Sequence, residues 1–322
     1  MNMRYLSVPT VLLSLAACQA LPLESIERPA TSNVPVQIAS QSLHNITSPN
    51  ISHSREFAVG SINRFMFTKW AGPDLPVWIY APDNIDVHKA PILFVMHGTK
   101  RDPHRYIREW VEPARANGLI IIAPEFSKTD FPKSAGYNLG NVFRKEGKGL
   151  QDEAIWSFSA IEPIFDVVRR AVDSRQEKYS IYGHSAGSQF VHRFLYYKPN
   201  ARAHQYLSAN AGWYTVPDMT KSYPYGLKGA GVSEEMLKKA LSKNVLILLG
   251  DKDNDPNHKS LRRTDEAMQQ GPHRYARGLS YHMAGQKQAD KYGVNYHWTI
   301  QIVPGVAHKN GQMAVAAASS VD

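Results

Sequence analysis

Tyr179-Ser-Ile-Tyr-Gly-His-Ser-Ala-Gly-Ser188 decides how this chain folds. Its first residues are apolar or β-prone, as a buried strand requires. From Ser188 to Tyr197 the pattern turns helical and stops before Pro199. Between the two stands Gly183-His184-Ser185-Ala186-Gly187, a G-x-S-x-G pattern at a strand-to-helix turn. Such a sharp turn lifts the Ser185 side chain off the sheet. The flanking glycines are required because a side chain at either place would collide with the neighbouring strand and helix. At about 7% Gly and Ser the five-residue pattern arises by chance in roughly one chain of this length in ten. The strand before it and the helix after it carry the reading.

Outward from this turn, short apolar runs alternate with amphipathic stretches, which predicts βα units and a mainly parallel sheet flanked by helices, an α/β fold. Residues 65–70 and 77–80 read as a leading hairpin. Residues 92–96, 119–123, 206–209, 245–249 and 298–303 read as further strands. Residues 106–116, 153–172, 277–292 and 310–318 read as helices, the first ending at Asn117-Gly118.

Chemistry-bearing residues gather at the ends of these strands. Residues 245–249 run into Gly250-Asp-Lys-Asp-Asn-Asp255, so Asp251, Asp253 and Asp255 all lie just past the carboxyl end of a strand, where open α/β sheets bind ligands. His308 falls in the loop between the last strand and the closing helix, whereas His273, His282 and His297 precede that loop. A serine, an acid and a histidine are the parts of nucleophilic catalysis: the hydroxyl attacks, the imidazole takes its proton, and the carboxylate orients the imidazole. Residues 92–96 lead into His97-Gly98-Thr99-Lys100, where Gly98 lets the backbone turn close to the serine. His97 reads as a loop-fixing residue and His184 as a neighbour packed on the sheet. Lys100, Arg101 and Arg105 beside this loop read as a solvated basic edge, with steering of an acidic substrate as the other reading.

Taken together, these motifs resemble the α/β-hydrolase superfamily over about residues 60–318, in the order serine, acid, histidine. The resemblance implies an α/β-hydrolase fold and a serine esterase working through an acyl-enzyme on Ser185, with His308 as base and no cofactor or metal. The Gly-x-x-Asp spacing usual at this corner of the family favours Asp253 as the acid, with Asp255 and Asp251 as alternatives. Backbone N–H groups of Ala186 and Thr99, or Lys100, would form the oxyanion hole. The His-Gly after an early buried strand is similar to exported bacterial esterases of the polyhydroxybutyrate-depolymerase-like and feruloyl-esterase-like group. The segments Gln270-Gly-Pro-His-Arg274 and Arg277-Gly278 resemble an uncharacterised hydrolase family and read either as structural or as lining the acid side of the pocket. Trp213 and Tyr214 are candidates for an aromatic substrate wall, with packing beneath a loop as the other reading. A peptidase or amidase with the same triad, and a non-catalytic binding module, are the competing functions.

The remaining expectations come from composition and the amino terminus. The chain has 322 residues, 43% of them hydrophobic, enough for a large core. A net charge of +9 without a long basic run or a nucleic-acid motif gives no reason to expect a nucleic-acid partner. The single Cys excludes an intramolecular disulfide, a thiolate zinc site and an iron–sulfur cluster. That Cys closes Leu15-Ala16-Ala17-Cys18 after a positively charged and then apolar segment, which resembles a bacterial lipobox. The expectation is a signal peptide over 1–17, a lipidated Cys18 with a flexible tether over 18–56, and a hydrolase domain over 57–322. The partners expected are an ester substrate and, through Cys18, a membrane; the location expected is the outer membrane, facing the periplasm or the cell surface. An ordinary secretory signal cut near Ala20 is the alternative.

Overall fold

The computed structural model describes residues 36–38, 57–144 and 149–321. The expected signal peptide and most of the expected tether lie outside these residues. Among the described residues, nine strands form one sheet: β1 (Val36–Ile38), β2 (Ile62–Phe67), β3 (Leu75–Tyr80), β4 (Ile92–Met96), β5 (Ile120–Pro124), β6 (Tyr179–His184), β7 (Ala203–Ala209), β8 (Asn244–Gly250) and β9 (Trp298–Val303). Their order is β1-β2-β3-β5-β4-β6-β7-β8-β9. Strand β3 runs antiparallel to both neighbours, β2 and β5, and all other pairs are parallel. The expected leading hairpin is β2–β3. Strand β1 pairs beside β2 and falls inside the expected tether, which corrects that expectation for residues 36–38.

The buried central strands explain their own sequences. Every residue of β4, β5 and β6 is buried, because helices cover both faces of the sheet. Alternate residues face opposite layers: Ile92, Phe94 and Met96 join one core cluster, Leu93 and Val95 the other. The first layer holds α3 (Ile161–Ala171), α4 (Ala186–Tyr197), α5 (Glu234–Leu241) and α7 (Arg274–Tyr292). The second holds α1 (Pro103–Glu109), α2 (Val111–Asn117) and α8 (Asn310–Ala318). A short α6 (Asp265–Gln269) precedes α7.

Two expected helices are shorter than their patterns, and proline is the reason. The pattern over 106–116 becomes α1 and α2, broken at Trp110, because Pro113 has no N–H to give to the Glu109 carbonyl. The pattern over 153–172 begins as two short 3-10 turns, and the α-helix starts at Ile161 with Pro163 in its first turn, where a missing N–H costs nothing. Helix α2 stops at Gly118, whose φ of 67° is the left-handed C-cap expected from Asn117-Gly118.

Candidate active site

The turn between β6 and α4 is held by close backbone contacts. A Cβ on Gly187 would overlap the Met96 carbonyl oxygen, and one on Gly183 would overlap the Gly187 backbone. Helix α4 can therefore approach strand β4 only if residue 187 is glycine, and the turn can close only if residue 183 is glycine. Ser185 sits at φ 60°, ψ −116°, outside the regions open to most side chains, at a typical cost of about 1–3 kcal/mol. The surroundings hold it there: its N–H donates to Ala209 at 3.0 Å and its carbonyl accepts from Gln189 at 3.1 Å. All twelve residues of α4 are buried.

The loops after β8 and β9 bring Asp253 and His308 to this serine. His308 Nε2 lies 3.0 Å from Ser185 Oγ, and Nδ1 lies 2.6 Å from Asp253 Oδ2. An ionised carboxylate only accepts, so Nδ1–H donates to it and Nε2 is free to accept the Ser185 O–H. Asp253 is 4% exposed and the His308 side chain 17%. Burial works against ionisation of Asp253, but its bonds to His308 and Arg274 outweigh burial and hold its carboxyl below the usual range. Asp251 instead accepts the Gly305 N–H at 2.8 Å, and exposed Asp255 accepts its neighbour Asn257 N–H at 2.7 Å. Of the three sequence candidates, only Asp253 reaches His308.

Of the proposed oxyanion groups, Ala186 follows the serine and Thr99 lies in the loop after β4, whose Met96 and His97 carbonyls abut Gly187. Among the described residues, the N–H groups of Ala186 and Thr99 donate to no protein acceptor, which leaves both for an incoming anion. His97 fixes this loop: its Nε2 accepts the Phe126 N–H at 3.1 Å, and Tyr137 donates to its carbonyl at 2.7 Å. Burial, then the charge of Arg101, push His97 down to about 3, so it stays neutral. His184 is also buried, its ring 4.5 Å from that of His308, with Tyr106 Oη 3.3 Å from its Nδ1. Burial and the nearby His308 hold it well below the ordinary histidine value.

Other expectations are corrected. Arg101 is no solvated edge: its guanidinium donates to the carbonyls of Phe126 at 2.7 Å, Phe131 at 3.2 Å and Lys133 at 2.7 Å, and covers the Tyr137 ring. Lys100 and Arg105 do form the solvated edge expected, with the Arg105 side chain 45% exposed and paired with Glu109 and Asp102. Tyr214 does not line a substrate wall; it is 0% exposed and stacks on Tyr281, because Gln270 clamps its backbone N–H and C=O at 2.8 and 2.7 Å. Trp213 is 5% exposed, with the guanidinium groups of Arg193 and Arg262 over its ring, so it too is packing beneath a loop. The Gln270–Arg274 segment thus has a role. Gln270 holds the loop after β7, Arg274 donates to Asp253 at 3.0 Å, and Arg277 donates to the Gly271, Gly212 and Arg262 carbonyls. Sequence reading missed the bond from Arg274 to Asp253, because the two are 21 residues apart and no local pattern links them.

Among the described residues, no group of three or more His, Cys, Asp or Glu is placed to hold a metal ion.

The fold matches solved structures. The chain is similar to poly(aspartic acid) hydrolase-1 from Sphingomonas sp. KT-1, at 45% identity and a TM-score of 0.78, over 81% of this chain and 98% of that one. It is similar to LpqC, a poly(3-hydroxybutyrate) depolymerase from Bordetella parapertussis, at 33% identity and a TM-score of 0.75, over 80% of this chain and 89% of that one. The siderophore hydrolase EstB from Aspergillus nidulans shares the fold at 16% identity and a TM-score of 0.52, over 84% of this chain and 97% of that one. No protein-family profile matches the chain, and no curated protein sequence matches it significantly.

Proposed function

The chain belongs to the α/β-hydrolase superfamily as a serine ester hydrolase similar to the two polymer hydrolases above, and from that premise we propose that it cleaves oligomeric or short-chain carboxylic esters through an acyl-enzyme on Ser185. The observation that carries this reading is the hydrogen-bonded relay from Ser185 Oγ through His308 to Asp253. In the proposed reaction His308 takes the Ser185 proton as Oγ attacks the ester carbonyl. The imidazolium is oriented and stabilised by Asp253, and the Ala186 and Thr99 N–H groups receive the developing oxyanion. His308 returns the proton to the departing alcohol. It then activates the water that releases the acid and frees Ser185.

A second reading is favoured by the 45% identity to a poly(aspartic acid) hydrolase. Poly(aspartic acid) is a polyamide with a carboxylate on every unit. This chain carries a net charge of +9, and Lys252, Lys259, Arg262 and Arg263 are exposed on the loop that follows β8. The same triad would then cleave an amide, and the basic loop would meet the anionic chain.

One experiment separates the two. The enzyme is given 3-hydroxybutyrate oligoesters, p-nitrophenyl butyrate and poly(aspartic acid) in parallel, with Ser185→Ala as the blank. Ester cleavage that the blank lacks supports the first reading. Cleavage of poly(aspartic acid) with every ester left intact would replace it by the second. For the amino terminus we propose export and lipidation of Cys18, with the hydrolase held at the outer membrane. The lipobox-like Leu15-Ala16-Ala17-Cys18 supports this, and Cys18→Ser should move the enzyme into the soluble fraction.

A further inference from the structure

Asp253 shares its two oxygens between two partners. Oδ2 accepts from His308, while Oδ1 accepts from Arg274 Nη1 at 3.0 Å, with Arg274 2% and Asp253 4% exposed. Arg274 opens helix α7, and the chain clasps itself there a second time, since the Tyr275 N–H donates to the Asp253 carbonyl at 3.1 Å. The other end of the fork, Nη2, donates to Ser260 Oγ at 2.9 Å and to His258 Nδ1 at 3.2 Å. One buried cation therefore binds the triad acid and the loop that carries it. Arg277, about one turn further along α7, binds mostly backbone carbonyls, as a structural clamp does.

Resting on the triad proposed above, we infer that Arg274 is a positioning residue of the reaction: it fixes the rotamer of Asp253 and, by partly neutralising that carboxylate, sets the pH at which His308 becomes an effective base. A buried carboxylate held at one oxygen only can rotate about its last bond, whereas one held at both presents Oδ2 to His308 in a single direction. Several charged and titratable groups face His308. Asp253 and His258 come from the loop after β8, His184 from β6 and Arg274 from α7, with Lys309 next in the chain and Arg105 of α1 behind His184. His258 Nδ1 accepts from Arg274 and from the Ser260 N–H, which leaves its own proton on Nε2 and the ring neutral. The imidazolium formed during attack thus meets one carboxylate whose far oxygen already faces a cation. Removing that cation strengthens the pull of Asp253 on the imidazolium proton, so the base is freed only at higher pH.

The test uses the full enzyme, p-nitrophenyl butyrate, and rates expressed per serine labelled by a fluorophosphonate, so that misfolded protein does not count. Arg274→Met should lower kcat about 10- to 100-fold with KM little changed, the pattern of lost orientation. It should also move the acid limb of the kcat/KM profile upward by about one to two pH units, the size expected for a charge roughly 6–12 Å away at an effective dielectric near 20. Arg274→Lys restores charge without the fork, so its acid limb should return to the wild-type position while kcat stays reduced. His258→Gln in both backgrounds removes any titration of that ring and should leave the upward shift in place. An Arg274→Met enzyme with wild-type kcat and acid limb per labelled serine would overturn the inference, whatever its thermal stability. Should the Met variant not fold, Arg274→Lys with wild-type kcat would overturn it equally. Failure of the triad itself shows separately, as a wild-type enzyme whose Ser185 is not labelled.

Discussion

Ser185 and Asp253 stand past the carboxyl ends of β6 and β8 in the same sheet, but they are held there by different forces. Around Ser185 the backbone does the holding: a positive φ, two glycines that admit no side chain, a fully buried strand and a fully buried helix. Around Asp253 side chains do it. The loop from 251 to 263 is largely exposed, and its one buried acid is fixed by His308 and Arg274. Ser185 is thus placed by steric exclusion within a few residues, and Asp253 by polar bonds that span distant elements. Steric exclusion has no charge to lose, whereas a buried ion pair transmits any change in one partner to the other.

The largest expected effect sharpens that contrast. Asp253→Asn should lower kcat/KM by about 10⁴-fold, because the amide favours the wrong His308 tautomer. It should also destabilise the fold by roughly 3–5 kcal/mol, because Arg274 is left buried without its counter-charge. Ser185→Ala should lose activity without that destabilisation, and calorimetry of both variants checks the difference. Equal melting temperatures would break the contrast. On the serine side, Gly187→Ala should cost about 1–3 kcal/mol or more, since the added carbon must displace the Met96 carbonyl; soluble yield and melting temperature measure it.

How much of this was legible follows the same divide. The five residues from Gly183 to Gly187, with a strand before and a helix after, were readable because elbow geometry is a local property. His308 was readable from its place after the last strand, and strands β4 and β9 matched their apolar runs to the residue. Asp253 stood out from Asp251 and Asp255 only through spacing borrowed from a resemblance. Arg274 and the clamp from Gln270 to Tyr214 were not readable as such, because their partners lie 21 and 56 residues away. Trp213 and Tyr214 misled for a related reason: an aromatic pair after a strand looks the same whether it lines a cleft or is covered by arginines and a glutamine.

Acid offers a smaller, graded test. His97, His184 and His192 are buried and held neutral, His97 down to about 3 and the others well below the ordinary value, with burial as the first cause in each. All three pack around β4, β6 and α4, on the serine side. Unfolded histidines take up protons below about pH 6.5, so stability is full above that pH. It should fall by up to about 1.4 kcal/mol per pH unit for each histidine as pH drops toward 3. Asp253 has the same sign in a lower window: its contribution persists until pH falls below the ordinary carboxylate range of about 4. Hydrogen exchange at about pH 5 should therefore show β4 to α4 opening before β8 and the start of α7; the reverse order would contradict the comparison. The smallest effect is expected at exposed Asp255, where Asp255→Ala should leave kcat/KM unchanged and stability within about 0.5 kcal/mol.

The most direct test of the central claim is intact-mass and peptide mapping of the full chain after reaction with a fluorophosphonate. The geometry predicts a single adduct, on Ser185, absent in Ser185→Ala and formed far more slowly in His308→Ala. A folded enzyme that forms no adduct, or forms it on another residue at the wild-type rate in Ser185→Ala, would contradict it.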